Sequence, residues 1–198
     1  MTTDLLIALA GFALVSSITP GPNNLMLLAS GTNFGWTRSM PHMLGVAFGF
    51  TLMVLLVGLG LSQIFVVFPI AHLVLKAVCV TYLLYLAWKI ATAPPPKAGE
   101  VRGKPMTFLQ AAAFQWVNPK GWTMALTAVS AYAITGDIWS YVTVAAVFGI
   151  VNLPSISVWM AMGVQMRRLL NKPGLLRAFN VGAALLLVGS LYPIVFAH

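Results

Sequence analysis

The sequence predicts an all-α integral membrane protein with six transmembrane helices, arranged as two inverted three-helix repeats with broken first and fourth helices. Three observations support this prediction. Sixty per cent of the residues are hydrophobic and seven per cent are charged, whereas a soluble domain contains about 25% charged residues. Six apolar runs, each long enough to cross a bilayer, follow one another along the chain. Proline and glycine interrupt the first and the fourth run.

A transmembrane helix needs about 20 mostly apolar residues. The boundary between the second and third spans rests on Ser62-Gln63 and Phe68-Pro69. Asp4 is the only charged side chain before Arg38, so we expect a retained first span and not a cleaved signal peptide. We treat 1–198 as one domain, with a first repeat at about 1–91, a proline-containing linker at about 92–106 and a second repeat at about 107–198. The predicted spans are 5–28, 41–63, 68–91, 107–134, 138–163 and 177–197.

Basic residues predict the orientation of the spans. With six spans they gather on one face, whereas a five-span arrangement divides them between both faces. The positive-inside rule makes the basic face cytoplasmic and places both termini outside the cytoplasm. The net charge of +8 therefore indicates cytoplasmic anchoring and not a nucleic-acid partner. The residues on this face are Arg38, Lys89, Lys97, Arg102, Lys104, Arg167, Arg168, Lys172 and Arg177.

The two halves of the chain resemble each other weakly. Leu75–Val80 is similar to Leu176–Val181, and Val46–Gly49 is similar to Val144–Gly149 once an insertion is allowed. Because each half has an odd number of spans, the second half must enter the membrane from the opposite side. This combination is typical of an inverted repeat, whose interrupted spans indicate where a transporter binds its substrate.

The first break, Pro20–Asn24, combines two prolines, a glycine and two asparagines. Proline lacks an N–H group, so the helix before it must end and a new helix must begin at Pro22. The first N–H groups of that new helix have no intrahelical acceptors. Together with the helix dipole they suit a carboxylate, and the amides of Asn23 and Asn24 can bond either end of a zwitterion. A purely structural kink is the alternative.

The second break contains Asn118, Pro119 and Lys120, in the middle of the fourth span. A charge at the bilayer centre costs about 2.5–3.5 kcal/mol, so we expect Lys120 to face a cavity or a partner and to balance an anionic group. Snorkelling to an interface is the alternative. Asn152 adds a third polar position, whose alternative role is a helix–helix hydrogen bond. The predicted substrate-binding residues are Pro20, Gly21, Pro22, Asn23, Asn24, Gln115, Asn118, Pro119, Lys120 and Asn152.

Several kinds of chemistry are missing from the sequence. The acidic residues Asp4, Glu100 and Asp137 all lie at span ends or in the linker, so no carboxylate is placed for a proton relay in the membrane. Motifs for metal binding, nucleophilic catalysis and phosphate binding are absent. We therefore expect no enzyme, no metal and no cofactor. Gly45 and Gly49 predict close helix packing inside the monomer more than dimerisation, and a homodimer is left open.

These motifs together resemble the lysine exporter (LysE/RhtB) family of bacterial amino-acid exporters. Thr19–Asn24 is similar to the signature of that family in the first span, and Asn118–Lys120 to its signature in the fourth. Tyr82–Leu86 is similar to the pattern of the third span, although Cys79 stands where the family usually has glycine. The resemblance covers essentially the whole chain.

The resemblance implies a multi-pass secondary transporter of the bacterial inner membrane that exports amino acids, driven by the proton gradient. Ala87–Thr92 and the first break are most similar to the cysteine and O-acetylserine exporter branch. Small neutral substrates of that type, or of the homoserine and threonine type, are expected, because no buried carboxylate would balance a second positive charge. Candidates for proton coupling are Lys120, His42 and Asp137. The expected partners are the amino acid and the lipid bilayer.

Two other classes of function stay open at this point. A membrane scaffold or assembly subunit needs no polar position inside the membrane, so Lys120 and the two breaks count against it. An intramembrane enzyme lacks its catalytic residues. Deleting the gene separates an exporter from a scaffold, since loss of an exporter changes tolerance of a metabolite and loss of a scaffold lowers the abundance of a partner.

Overall fold

The computed structural model describes residues 1–68, 70–93, 103–170 and 173–192, and every regular element in these ranges is a helix. A π-helical stretch, Val57–Leu61, extends α3, and a short 3₁₀ turn, Gln115–Val117, follows α6. The nine α-helices of the described ranges are α1 (Thr3–Ile18), α2 (Pro22–Phe34), α3 (Trp36–Leu56), α4 (Gln63–Val67), α5 (Ile70–Ala91), α6 (Phe108–Phe114), α7 (Pro119–Tyr132), α8 (Ile138–Leu169) and α9 (Pro173–Gly189).

Three of the described helical stretches are long and apolar enough to cross a membrane: Trp36–Leu61, Leu73–Ala91 and Ile138–Arg167. Helices α1 and α2 pass the same test together and are bent by 54° at the predicted first break. The prediction of an all-helical membrane protein is therefore confirmed. The arrangement of six spans in two repeats goes beyond these segments and stays a prediction.

Glycine and proline determine several helix ends. Gly35 has a φ of 78°, which is favourable for glycine, and it separates α2 from α3. The second span therefore begins at Trp36, earlier than predicted. Gly60, with a φ of 102°, ends the helical path before Ser62. By contrast, Pro154 lies inside α8 without ending it.

Some sequence predictions fall outside the described residues. These are Pro69 at the boundary between the second and third spans, the part of the linker from 94 to 102, residues 171–172, and the end of the sixth span from 193. On the near side of the linker, α5 continues to Ala91. On its far side, Thr107 begins α6 with a capping box that it forms with Gln110, in agreement with the predicted start of the fourth span.

Small residues allow the central helices to approach closely. Gly31 of α2 lies directly against the backbone of α8, and Gly163 of α8 lies against the backbone of α2 at Leu28. Gly45 and Gly49 of α3 lie in the same way against α6. Van der Waals packing of this kind stabilises helix pairs in lipid. The prediction that Gly45 and Gly49 pack inside the monomer is confirmed.

Aromatic packing fixes α1 against α3 and α8. The ring of Phe148 on α8 makes edge contacts with Phe50 on α3 and with Phe12 on α1, at centroid distances of 5.5 and 6.0 Å. The two breaks are joined separately by hydrogen bonds, of Asn23 with Gln115 and of Lys120 with Thr19.

Candidate functional site

The end of α1 exposes backbone carbonyls that the helix itself cannot bond. Asn24, in the first turn of α2, donates from Nδ2 to the carbonyls of Ser17 (2.8 Å) and Thr19 (2.7 Å). The indole N–H of Trp159 on α8 donates to the carbonyl of Ile18 at 2.9 Å. Side chains from two other helices therefore replace the hydrogen bonds that the proline break removes.

Lys120, which lies in the second break, donates hydrogen bonds to the same end of α1. Its ammonium donates to the carbonyl of Thr19 at 2.7 Å, to the Thr19 hydroxyl at 2.9 Å and to the carbonyl of Pro20 at 3.3 Å. A cation at the C-terminal end of a helix is also favoured by the helix dipole. Gly21 makes this approach possible, because a Cβ at that position would collide with the Lys120 side chain. Lys120 thus joins the two halves of the chain.

The second break is bonded differently. The Trp122 indole donates to the carbonyl of Trp116 at 3.0 Å, and the thiol of Cys79 donates to the carbonyl of Val117 at 2.6 Å. Asn118 then precedes Pro119, which begins α7. The Asn118 side chain is 2% exposed, and its Oδ1 has no hydrogen-bond partner in the described part of the chain.

An amide pair connects the two breaks. Asn23 donates from Nδ2 to Gln115 Oε1 at 2.8 Å, and Gln115 returns a bond from Nε2 to Asn23 Oδ1 at 3.2 Å. Gln115 is fully buried and also donates to the carbonyl of Ala111 at 2.8 Å. The pair leaves little polar capacity unused on either side chain, so it fixes the start of α2 against the end of α6.

A polar cavity of about 20 Å³ lies between the breaks. This volume holds roughly one water molecule. Among the described residues, three buried polar atoms at the cavity lack a hydrogen-bond partner: Ser17 Oγ, Asn118 Oδ1 and Asn152 Nδ2. The cavity is lined by Ser16, Ser17, Gly21, Asn23, Asn24, Phe50, Asn118, Lys120, Gly121, Met124, Asn152 and Ile156.

Most of the residues predicted from sequence meet at this cavity, although their roles differ. Pro20, Pro22 and Pro119 do not line it and instead end or begin the helices around it. Gln115 reaches it through Asn23. The predicted substrate-binding residues did not include the lining residues Ser16, Ser17, Phe50, Gly121, Met124 and Ile156. A usable signal was available for the two serines, because they lie within one turn of the first break.

The two other candidates for proton coupling lie elsewhere. Asp137 caps α8 by accepting the backbone N–H of Ser140 at 2.8 Å. It lies outside the apolar part of that helix, and the Ser140 backbone N–H lowers the pKa of its carboxyl group below the usual 3.8. His42 of α3 is 2% exposed, and neither ring nitrogen has a hydrogen-bond partner among the described residues. Within the same ranges no three His, Cys, Asp or Glu side chains are grouped as metal ligands.

Broken helices that meet at a polar cavity inside an apolar helical protein are typical of a secondary transporter. The chain matches the family model described as LysE type translocator over residues 14–190, and it belongs to that family. It is a multi-pass membrane protein of a transporter family, as predicted, and not an enzyme.

Curated relatives agree with this assignment. The chain is 34% identical over 191 residues to proteins named cysteine/O-acetylserine efflux protein from Escherichia coli K12 and from Shigella sonnei strain Ss046. These alignments cover 95% of this chain and 96% of each relative. The predicted similarity to that branch is confirmed. No solved structure matches the chain.

Proposed function

We propose that this protein exports small neutral amino acids or their derivatives, of the cysteine and O-acetylserine type, from the bacterial cytoplasm, and that the polar cavity between the two breaks is its substrate site. The main observation in support is the set of unpartnered atoms at the cavity among the described residues: an amide oxygen of Asn118, an amide N–H of Asn152 and a hydroxyl of Ser17. An unpaired buried polar group costs about 1–3 kcal/mol. A zwitterionic amino acid supplies the complementary donors and acceptors.

The carboxylate of the substrate binds at the start of α2, beside Lys120. The N–H groups of Asn23 and Asn24 lie in the first turn of that helix and have no acceptor within it. Asn152 Nδ2 adds a donor from α8. The substrate ammonium is directed towards Asn118 Oδ1 and takes the place of the Lys120 ammonium at the carbonyls of Thr19 and Pro20.

The charge of the lining favours neutral amino acids. Among the described lining residues Lys120 is the sole charged group, and none is acidic. A second positive charge on the substrate would therefore be buried without a counter-charge, which is unfavourable. This argument agrees with the names of the curated relatives.

We place the protein in the inner membrane with six spans in two inverted repeats and both termini outside the cytoplasm. Basic residues from separate connections support this topology, because they converge at one end of the protein. Arg38 donates to the carbonyl of Gly103 at 3.1 Å. Lys89 and Lys104 line one pocket at that end, and Arg167 lies beside Gly35.

Transport requires the cavity to widen, because about 20 Å³ is far below the roughly 300 Å³ at which pockets for small molecules begin. The Lys120 bonds cross from α7 to the end of α1, so they must break when the two halves separate. Exchange of these bonds for bonds to the substrate would couple binding to opening. Export is by proton antiport in this proposal, with Lys120 as the first candidate for the proton carrier and His42 and Asp137 as the others.

Efflux from loaded cells tests the proposal. Wild type, Lys120→Met and the control Lys76→Met are compared at equal membrane expression, with neutral, basic and thiol-containing amino acids. We expect wild type and Lys76→Met to accelerate efflux of O-acetylserine and cysteine, and Lys120→Met to abolish it. Unchanged efflux with every amino acid in wild type would reject export and favour the scaffold.

Collapse of individual gradients tests the coupling ion. With the pH gradient collapsed and the membrane potential maintained, we expect export to stop. If export continues at the original rate, proton antiport is wrong, and Na⁺ becomes the next candidate.

A further inference from the structure

A second and larger pocket lies apart from the polar cavity. It has a volume of about 310 Å³, and its described lining comes from α2, the beginning of α3, the end of α5 with the two residues after it, and residues 103–106. It shares no described lining residue with the polar cavity. We call it the access pocket and define it by Ser30, Asn33, His42, Lys89 and Lys104.

His42 contributes to the access pocket a buried polar side chain that lacks a hydrogen-bond partner among the described residues. The polar side chains of α2 in this pocket have hydrogen-bond partners. Ser30 bonds Ser39 at 2.8 Å, and Asn33 bonds Asn180 at 3.0 Å. The His42 ring is 2% exposed and has no hydrogen-bond partner in the described part of the chain. An imidazole always carries at least one N–H, so a ligand with acceptor oxygens would satisfy it.

The charge of the access pocket specifies the kind of acceptor. Lys89 and Lys104 contribute two cations, and no acidic residue is among its described lining. Arg38 adds a third positive charge nearby through its bond to Gly103. The remaining wall is largely apolar, with Met26, Leu86, Ile90 and Met106 among its members. A small molecule with a carboxylate and a short, mainly uncharged side chain fits this combination.

One face of α2 connects the access pocket with the polar cavity. Asn33, Ser30 and Met26 line the access pocket at spacings of three and four residues, which places them on one side of the helix. Asn23 continues that side by one turn and lines the polar cavity. Asn23, whose side chain bonds Gln115, thus lies one helical turn before Met26 of the access pocket.

We infer that the access pocket is a second amino-acid site, in which the substrate carboxylate is bound by His42, Lys89 and Lys104 before the molecule passes the Asn23–Gln115 pair. This inference rests on the proposed export function. It assigns the pocket to the cytoplasmic side, from which the substrate is drawn, and it places the Asn23–Gln115 pair on the path between the two sites.

Protection of a thiol from labelling tests the inference directly. Met106→Cys is introduced together with Cys79→Ala, and inside-out vesicles are treated with a membrane-impermeant thiol reagent. O-acetylserine is the ligand, because it has no thiol to consume the reagent. We expect it to slow labelling, and we expect Lys89→Gln with Lys104→Gln to raise the half-protecting concentration several-fold. Lys76→Gln, the same change near the other end of α5, leaves that concentration unchanged.

Transport kinetics in the same vesicles give a second measurement. The Lys89→Gln, Lys104→Gln double variant raises KM several-fold and leaves the maximal rate unchanged. His42→Leu has the same effect, and His42→Gln, which keeps a donor, is less impaired. Lys120→Met loses transport and retains protection of the thiol, because the access pocket does not contain Lys120.

The outcomes separate this inference from the proposed function. If wild-type vesicles transport O-acetylserine but the compound gives no protection, the access pocket is not a substrate site and the export function stands. Equal loss of protection in Lys76→Gln would also overturn the inference. If wild-type vesicles transport none of the amino acids, the proposed function fails, and the inference fails with it.

Discussion

At both helix breaks, side chains donate hydrogen bonds to backbone carbonyls that have no partner within the helix, but the two breaks use different side chains. At the first break, Lys120, Asn24 and Trp159 bond the freed carbonyls, and the strongest of these bonds is charge-assisted and comes from the other half of the chain. At the second break, the Cys79 thiol and the Trp122 indole bond them with neutral groups. The first break is therefore joined to the other half by a flexible, charge-assisted side chain, whereas the second break combines a neutral thiol bond from the first half with an indole bond from its own helix.

This difference indicates which break moves during transport. Lysine has a flexible stem and three donors, so it can exchange one set of acceptors for another. An indole packed in the core has no such freedom. We therefore expect the end of α1 to separate from α7 when the site opens, while the turn between α6 and α7 keeps its shape.

After the loss of export in Lys120→Met, the largest effect is expected at Asn24. Asn24→Leu removes the Asn24 donor to the Ser17 carbonyl and one of the donors to the Thr19 carbonyl, which Lys120 still bonds. At about 1–3 kcal/mol for an unsatisfied buried group, we expect export to fall by about fivefold or more. The rate of O-acetylserine efflux at equal membrane expression measures this loss of export, with Lys76→Leu as the control. Export near the wild-type rate would show that the first break does not need this amide.

A smaller effect is expected from the amide pair that joins the breaks. Asn23→Ala and Gln115→Ala each lower export, and the double variant is little worse than either one alone. A coupling energy of about 0.5–3 kcal/mol is typical of residues in direct contact. The double-mutant cycle is measured on transport KM and maximal rate. Simple additivity would show that the two side chains act independently.

The second break should tolerate loss of its thiol bond. Cys79→Ala removes one neutral donor to Val117, which costs roughly 0.5–1.5 kcal/mol of stability. Export stays close to wild type, and Cys79→Ser restores most of the stability. Thermal denaturation in detergent tests the loss of stability, and an efflux assay tests whether export is retained. An Ala variant without transport but with normal stability would contradict the rigid role that we assign to this break.

The smallest effect is expected at Asp137, far from either break. Its pKa is lowered in the folded protein, so its stabilisation of α8 is present above the unfolded value near 3.8 and is lost as the pH falls through the lower folded value. Wild type should therefore be more stable than Asp137→Ala at pH 7 and lose that advantage in acid. Thermal unfolding of both proteins at several pH values measures this difference in stability. A changed pH dependence of export would instead identify Asp137 as a proton carrier.

Much of this architecture could be predicted from the sequence because proline and lysine have strong consequences in lipid. Pro20, Pro22 and Pro119 allow few structures other than a broken helix, and Lys120 cannot lie in the membrane without polar partners. The starts of α6 and α8 have equally simple signals in the sequence, a threonine cap at Thr107 and an aspartate cap at Asp137.

Other features depend on contacts between distant residues and were not predictable. Nothing near Cys79 in the sequence indicates that its thiol bonds Val117. Likewise, the bonding of Lys120 to the end of α1 depends on how α7 packs beside it. Ser17 could have been recognised, since it precedes the first break by less than one turn, whereas the access pocket around His42 required the tertiary structure.

Equilibrium binding of radiolabelled O-acetylserine to the purified protein tests the central claim most directly. The Lys89→Gln, Lys104→Gln double variant, in which binding at the access pocket is weakened, is compared in lipid nanodiscs with the same double variant carrying Lys120→Met or Lys76→Met. The account predicts that the double variant and its Lys76→Met derivative retain the tighter, saturable binding, and that the Lys120→Met derivative loses it. Equal affinity in all three proteins would contradict the placement of the substrate between the two helix breaks.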